Sequence, residues 1–406
     1  VTGRSKEEEG SQRLNNTRSA MMHRLLLLFF FFSSSPAALV SAAAASGVCD
    51  PTSEILQIDY EALLRLEEGE RSLVEKAFGP GGLGILAVTK VPATLEALRV
   101  EVLGKAREVA LLPPSILAQF EHAEFDYLVG WSRGRETFLG GEPDVSKGSW
   151  YANVFGPPRN ETLRRKYPSS TFEPRWPDEY AANFSGTFRD LGKRLYDVAY
   201  FVLKHCDAFL GTDLARVTHE LSQLHVARAL HYFPTDDAEN WCGWHADNAV
   251  LTALVPSLYF QDDTGFIVDP PPPRAGLLVR DVDGNVVQVA PPPPEREPYV
   301  LFQIGEAAQV LSGGRLVATP HAVRPGDARG RPISRDAFAL FVEPNWDYPL
   351  SPPPGFTLDD VYGAAATASE EALIPPLRTR LPKAPVDFAQ FLADSAKEYY
   401  EEAART

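Results

Sequence analysis

From Leu221 to about Pro344 the apolar residues recur with a period near two, in short runs punctuated by Gly and Pro, and this stretch commits the chain to a β-rich core. On either side the period is helical. Glu61 to Ala77, Thr94 to Leu112 and Tyr180 to Leu210 carry apolar residues at helical spacing; the last sets Phe188, Leu191, Leu195, Val198 and Val202 on one stripe and ends at Gly211. Ile55 to Tyr60 and Leu83 to Val88 read as strands, Gly79 to Gly82 breaks the first helix, and Pro113-Pro114 stops the second. Residues 351 to 406 return to helix, with Phe388, Phe391, Leu392 and Tyr399 as a packing stripe. The expected organisation is an upstream or targeting segment over 1–50, a helical and mixed part over 51–214, a β-sandwich-like part over 215–350 and a helical extension over 351–406.

Within the β-rich stretch lies Trp241-Cys242-Gly243-Trp244-His245-Ala246-Asp247-Asn248-Ala249-Val250-Leu251-Thr252. His245 and Asp247, separated by one residue, can point the same way from an extended strand and form half of a metal site. Two imidazoles and one carboxylate on one face of an octahedral iron leave three positions open, and His321 is the candidate for the missing imidazole. Val310 to Val323, which contains it, alternates and is punctuated by Gly, so it reads as a hairpin strand. A lone strand histidine is also an ordinary hydrogen-bonded core residue. It is the pairing with His245 and Asp247 that favours a ligand.

With 406 residues, 44% hydrophobic and 11% aromatic, the chain can bury a substantial core in one large or two moderate domains. Its 54 acidic and 39 basic residues give a net charge of -15, which argues against nucleic acid as the main partner. Cys49, Cys206 and Cys242 lack the spacing of a zinc ribbon or a disulfide framework and allow at most one disulfide; Cys242 reads as a buried neighbour of the site.

The only methionines are Met21 and Met22, and translation from there would place His23-Arg24 before the apolar run Leu25 to Phe32 and a small-residue zone ending at Ala45. That is the pattern of a secretory signal peptide, with a plastid route as the alternative, and it is too short to span a membrane stably. Asn160-Glu161-Thr162 and Asn183-Phe184-Ser185 are glycosylation sequons in a secretory setting.

Two proline runs, Pro270 to Pro273 and Pro291 to Pro294, bracket an insertion in which Gly276 to Arg280 and Val286 to Val289 flank Asp281-Val282-Asp283-Gly284-Asn285, a hairpin with its turn at Asp-Gly. The aromatic and glycine-rich run between Phe125 and Phe155 reads either as a substrate-lining segment or as a surface loop whose Trp and Tyr pack on the core.

Taken in order, these blocks resemble the non-haem iron(II), 2-oxoglutarate-dependent oxygenases of the plant and fungal type that includes isopenicillin N synthase. Ile58-Asp59 and Gly84 to Pro92 look like that family's amino-terminal region, His231-Tyr232-Phe233-Pro234 like its "NYYP" strand, and His245 to Thr252 like "HTDxGxLT". Gly276 to Val279, Ile304 to Arg315 and His321-Ala322-Val323 match later blocks, so the resemblance covers residues 55 to 345.

The resemblance implies a mixed α/β fold with a mainly β core, a distorted double-stranded β-helix or jelly roll with backing helices. It implies Fe(II) held by His245, Asp247 and His321, with 2-oxoglutarate and O2 as co-substrates and a small-molecule substrate; a monomer is expected. It selects Arg335 as the guanidinium for the far carboxylate of 2-oxoglutarate, ahead of Arg324, Arg329 and Arg331. His231 stands where an Asn is usual near the other end of the acid. The chain departs from the pattern at Ala337, where a Ser is usual, and at Phe233, where a Tyr is usual. Those departures keep open a non-haem iron oxidase of the same fold that does not use 2-oxoglutarate, and beyond it a catalytically silent binding protein.

Overall fold

The computed structural model describes residues 52–135, 145–235, 241–290, 297–365 and 374–405. The strands that build its core are, in chain order, β1 (Thr52–Glu54), β2 (Leu56–Asp59), β3 (Ile85–Thr89), β4 (Gly130–Arg133), β5 (Lys147–Asn153), β6 (Val226–Tyr232), β7 (Cys242–His245), β8 (Leu251–Leu254), β9 (Leu258–Gln261), β10 (Phe266–Ile267), β11 (Gly276–Arg280), β12 (Val286–Ala290), β13 (Tyr299–Ile304), β14 (His321–Arg324) and β15 (Ile333–Val342).

They form two sheets. The larger runs β2-β3-β13-β8-β15-β6-β5-β4, with β9 beside β15 and β10 beside β9; the smaller runs β1-β12-β11-β14-β7. Pairing is antiparallel except between β1 and β12 and between β2 and β3. Leu230, Tyr232, Tyr259, Ile333 and Ala337 of the larger sheet share a buried cluster with Cys242 and Val323 of the smaller, so the two sheets face each other. The class is mixed α/β with an antiparallel-rich core.

The helices Ala93–Ala110 and Phe184–Leu210 back the larger sheet. Along β15 the period of two turns Arg335, Ala337 and Ala339 towards the space between the sheets and Phe338 towards the helices, where its ring meets Phe188 at 5.0 Å. The long helix starts at Phe184 rather than Tyr180, after Asn183 at φ 57°, and Gly211 at φ 67° ends it as a left-handed cap. The helical stretch expected over 61–77 is two helices, Tyr60–Arg65 and Glu68–Phe78, parted at Leu66 with φ 53°.

Near residue 215 the chain changes from helix-rich to strand-rich, but the core continues across that point. β2 and β3 extend the larger sheet at one end, β4 and β5 at the other, and one cluster of buried apolar side chains runs from Ile58 to Leu392. The described residues of the run between Phe125 and Phe155 are built around β4 and β5, residues 136–144 lying outside them; Trp131 and Trp150 are buried in that core, which removes them from a substrate-lining loop.

The insertion hairpin forms as expected from its turn chemistry. β11 and β12 pair with Arg280 opposite Val286, and the Asp281 carboxylate accepts from the backbone N–H groups of Asp283 and Asn285. The second proline run lies outside the described residues, as do the Leu25 to Phe32 run and Cys49. Phe388, Phe391 and Leu392 are buried as the packing stripe of the helix Phe388–Arg405; the Tyr399 side chain is outside the described set. Among the described residues no helix is long and apolar enough to cross a membrane.

Candidate metal and co-substrate site

His245 ends β7 and His321 begins β14, and the antiparallel register sets them directly opposite each other with ring centroids 4.1 Å apart. Asp247 follows two residues after His245. Its Oδ1 lies 3.8 Å from His245 Nε2 and 3.7 Å from His321 Nε2. One ligand atom from each of the three buried residues lies within 4.8 Å of the others, a span that a single cation can bridge.

Neighbouring groups fix which atoms face that point. The His245 Nδ1 proton is donated to the Gly243 carbonyl at 2.8 Å, which directs Nε2 to the centre. Thr252 donates its hydroxyl to Asp247 Oδ2 at 2.6 Å and leaves Oδ1, with no hydrogen-bond donor among the described residues, facing the two imidazoles. His321 Nδ1 lies 3.2 Å from the Thr319 carbonyl, which can only accept, so Nδ1 carries the proton and Nε2 is left for the centre; the Gln303 amide, 2.7 Å from the same Nδ1, shares that proton when its oxygen is turned to the ring. Thr252 and Gln303 are cross-strand neighbours on β8 and β13. The larger sheet thus orients Asp247, in the loop between β7 and β8, and His321, on the smaller sheet.

The electrostatics favour a cation. Burial holds the His245 imidazole well below its ordinary pKa, with His321 adding to the effect, so the ring is neutral and able to ligate. Burial raises the Asp247 carboxyl, opposed by His321 and by the Thr252 hydrogen bond. A carboxylate buried at this point needs a positive partner to stay ionised, and the donor set suits iron(II).

The triad opens onto a cavity of about 570 Å³ between the sheets. Arg335 and Ala337 of β15 line it, as do Tyr232 of β6 and Tyr259 of β9. Register places Arg335 opposite Tyr232 on one side and opposite Tyr259 on the other, and its guanidinium lies 4.9 Å from the centre of the Tyr232 ring. Arg335 Nε and Nη1 have no hydrogen-bond acceptor among the described residues, which fits them to grip a planar carboxylate inside the cavity. Burial lowers the guanidinium pKa, but Tyr259 and Tyr232 outweigh it and the net shift is upward.

His231 is elsewhere. It alternates with Leu230 and Tyr232, so its ring points to the opposite face of β6, where Nδ1 meets Asp336 Oδ1 at 2.9 Å. The expectation that it lies near 2-oxoglutarate is corrected by this parity. Phe233 is also outside the cavity, beneath Arg133, whose guanidinium is 3.4 Å from the ring centre. The aromatic that faces Arg335 is Tyr232, one residue earlier than the motif alignment placed it. Ala337 does face the cavity, and supplies no hydroxyl there.

Of the other arginines, Arg324 is buried and donates to the Arg274 carbonyl, while Arg329 and Arg331 lie in the loop between β14 and β15. Arg135 pairs with Glu121.

Thr252 was visible within its motif but without a role. Gln303 and Tyr259 carried no signal in the sequence, because their parts depend on which strands become neighbours.

No protein-family model and no curated protein sequence matches the chain. Solved structures do. A 2OG-Fe(II) oxygenase family protein from Caulobacter crescentus superposes with a TM-score of 0.59 at 19% identity, covering 83% of this chain and 96% of that one. A full-length Neurospora crassa protein, in complex with alpha-KG and thymine, gives a TM-score of 0.59 at 16% identity over 87% of this chain and 97% of that one. JOX2 in complex with 2OG, Fe and JA gives 0.56 at 19% identity over 88% and 92%. The chain therefore has the fold of the 2OG-Fe(II) oxygenases.

Proposed function

We propose that the protein is an iron(II)- and 2-oxoglutarate-dependent oxygenase that hydroxylates or desaturates a small organic substrate. The observation that carries this reading is one cavity lined both by the His245, Asp247 and His321 triad and by Arg335, whose Nε and Nη1 have no acceptor among the described residues. We read the two facing sheets as a distorted double-stranded β-helix, and the ordered motifs as those of its isopenicillin N synthase-like branch.

His245 Nε2, His321 Nε2 and Asp247 Oδ1 would hold the iron, and Arg335 the far carboxylate of 2-oxoglutarate, with Tyr232 and Tyr259 beside it. Iron so held supplies O2 activation coupled to loss of CO2 from 2-oxoglutarate, which leaves as succinate while the substrate is oxidised. Thr252 and Gln303 keep the ligand atoms aimed, so little reorganisation accompanies loading. The largely apolar walls, including Leu254, Leu277, Val289 and Leu301, exclude water and suit a substrate with few charges.

Succinate release from 2-oxoglutarate under air tests the reading: the wild type produces it, and Asp247→Ala abolishes it. Release undiminished in Asp247→Ala rejects the assignment. An oxidase of the same fold that does not use 2-oxoglutarate is favoured only by Ala337, and O2 uptake independent of added 2-oxoglutarate would select it.

A further inference from the structure

The described residues of the carboxy-terminal segment lie away from the cavity, yet a deeply buried cation among them reaches back towards the metal ligands. Arg380 grips the Glu306 carboxylate with both terminal nitrogens, Nη1 to Oε2 at 2.5 Å and Nη2 to Oε1, while its Nε donates to the Pro375 carbonyl and Nη1 also approaches Ser395. Both side chains are almost wholly buried. Glu306 opens the helix Glu306–Leu311, and its backbone N–H donates to the Asp247 carbonyl at 2.7 Å.

The same short helix is tied a second time. Gln309 donates to the Val361 carbonyl in the helix Leu358–Ala365 and accepts from the backbone N–H of Ala318, three residues before His321. The helix therefore stands between the carboxy-terminal segment and the backbone that carries two of the three ligands.

We infer that the carboxy-terminal segment is part of the metal-site scaffold, with Arg380 as a positioning residue that acts through Glu306 on Asp247. A buried ion pair adds little net stability, because desolvating both charges offsets most of their attraction. A two-pronged guanidinium–carboxylate grip does fix orientation. Here the orientation it fixes is that of the first turn on which Asp247 rests.

This rests on the triad binding iron: wild-type protein that binds no iron(II) overturns both readings, whereas a wild type that binds it and pair variants that bind it equally well overturn this one alone. The test is anaerobic calorimetric titration of the full chain with iron(II), run beside thermal unfolding. Arg380→Lys keeps the charge and loses the double grip, and Glu306→Gln keeps the shape and loses the charge. Each is expected to weaken iron binding about tenfold. Val202→Ala, a core change in the helix Phe184–Leu210 outside that segment, is expected to lower Tm while leaving iron affinity unchanged. The inference is overturned if both pair variants bind iron like the wild type, if Val202→Ala weakens binding equally, or if neither pair variant folds, since the pair would then be a core ion pair alone.

Discussion

A strand turns successive side chains to opposite faces, so a shift of one residue decides whether Tyr232 or Phe233 meets the guanidinium of Arg335. The family resemblance places Phe233 there, with no hydroxyl; the β6–β15 register puts Tyr232 there, and of the two departures from the family pattern Ala337 alone lies on that wall. Tyr232→Phe should weaken 2-oxoglutarate binding about fivefold, the equivalent of one hydrogen bond at about 1 kcal/mol. Phe233→Tyr should leave it unchanged, both variants being read by anaerobic calorimetric titration of the iron(II)-loaded protein with 2-oxoglutarate. The reverse pattern would mean that the motif alignment, not the strand parity, describes the pocket. That His245, Asp247, His321 and Arg335 come together at one cavity could be read from the sequence because each sits in a motif that the family resemblance supplies. Tyr259 could not, because only strand pairing brings it opposite Arg335.

At the scale of elements, the segment Ile304 to Ala307 lies directly against Asp247 to Val250. A Cβ on Gly305 would stand 2.0 Å from the Ala249 carbonyl oxygen and 2.9 Å from that of Asp247, both backbone atoms with nowhere to move. Gly305→Ala should cost about 2 kcal/mol of stability, measured by denaturant unfolding, and weaken iron binding as the ligand loop is pushed away. An alanine variant with wild-type stability and affinity would show that the loop yields freely. This contact was hidden by an incorrect element. Val310 to Val323 read as a hairpin strand, whereas the chain forms the helix Glu306–Leu311, a turn at Gly313-Gly314 and a strand only from His321. That helix has six residues, buried almost all round, so it shows no amphipathic stripe by which its period could be read.

Across the whole molecule, the helical and strand-rich parts share one core, and ionisable groups inside it link stability to pH. Burial pushes the Glu343 carboxyl from 4.5 up to about 8, although it accepts a hydrogen bond from Trp346 Nε1. The folded state then keeps a proton that the unfolded chain releases, so this contribution is complete below about pH 4.5 and is lost as pH rises to about 8. Glu343→Gln stays neutral throughout, and its Tm should gain on that of the wild type between about pH 5 and about pH 8. Parallel Tm curves would place the charge elsewhere. The alternation of periods revealed the β core and its backing helices from sequence. The joining of β1 to β5 into the same two sheets was not legible, since period gives an element's faces and not its neighbours. The most direct test of the central claim is anaerobic titration with iron(II) and then 2-oxoglutarate, followed by the weak visible charge-transfer band of the chelate. The wild type should develop the band at saturating 2-oxoglutarate, and Arg335→Ala should require far more of the acid to reach it. A wild type that never develops the band, or an Arg335→Ala curve that overlays it, would contradict the account.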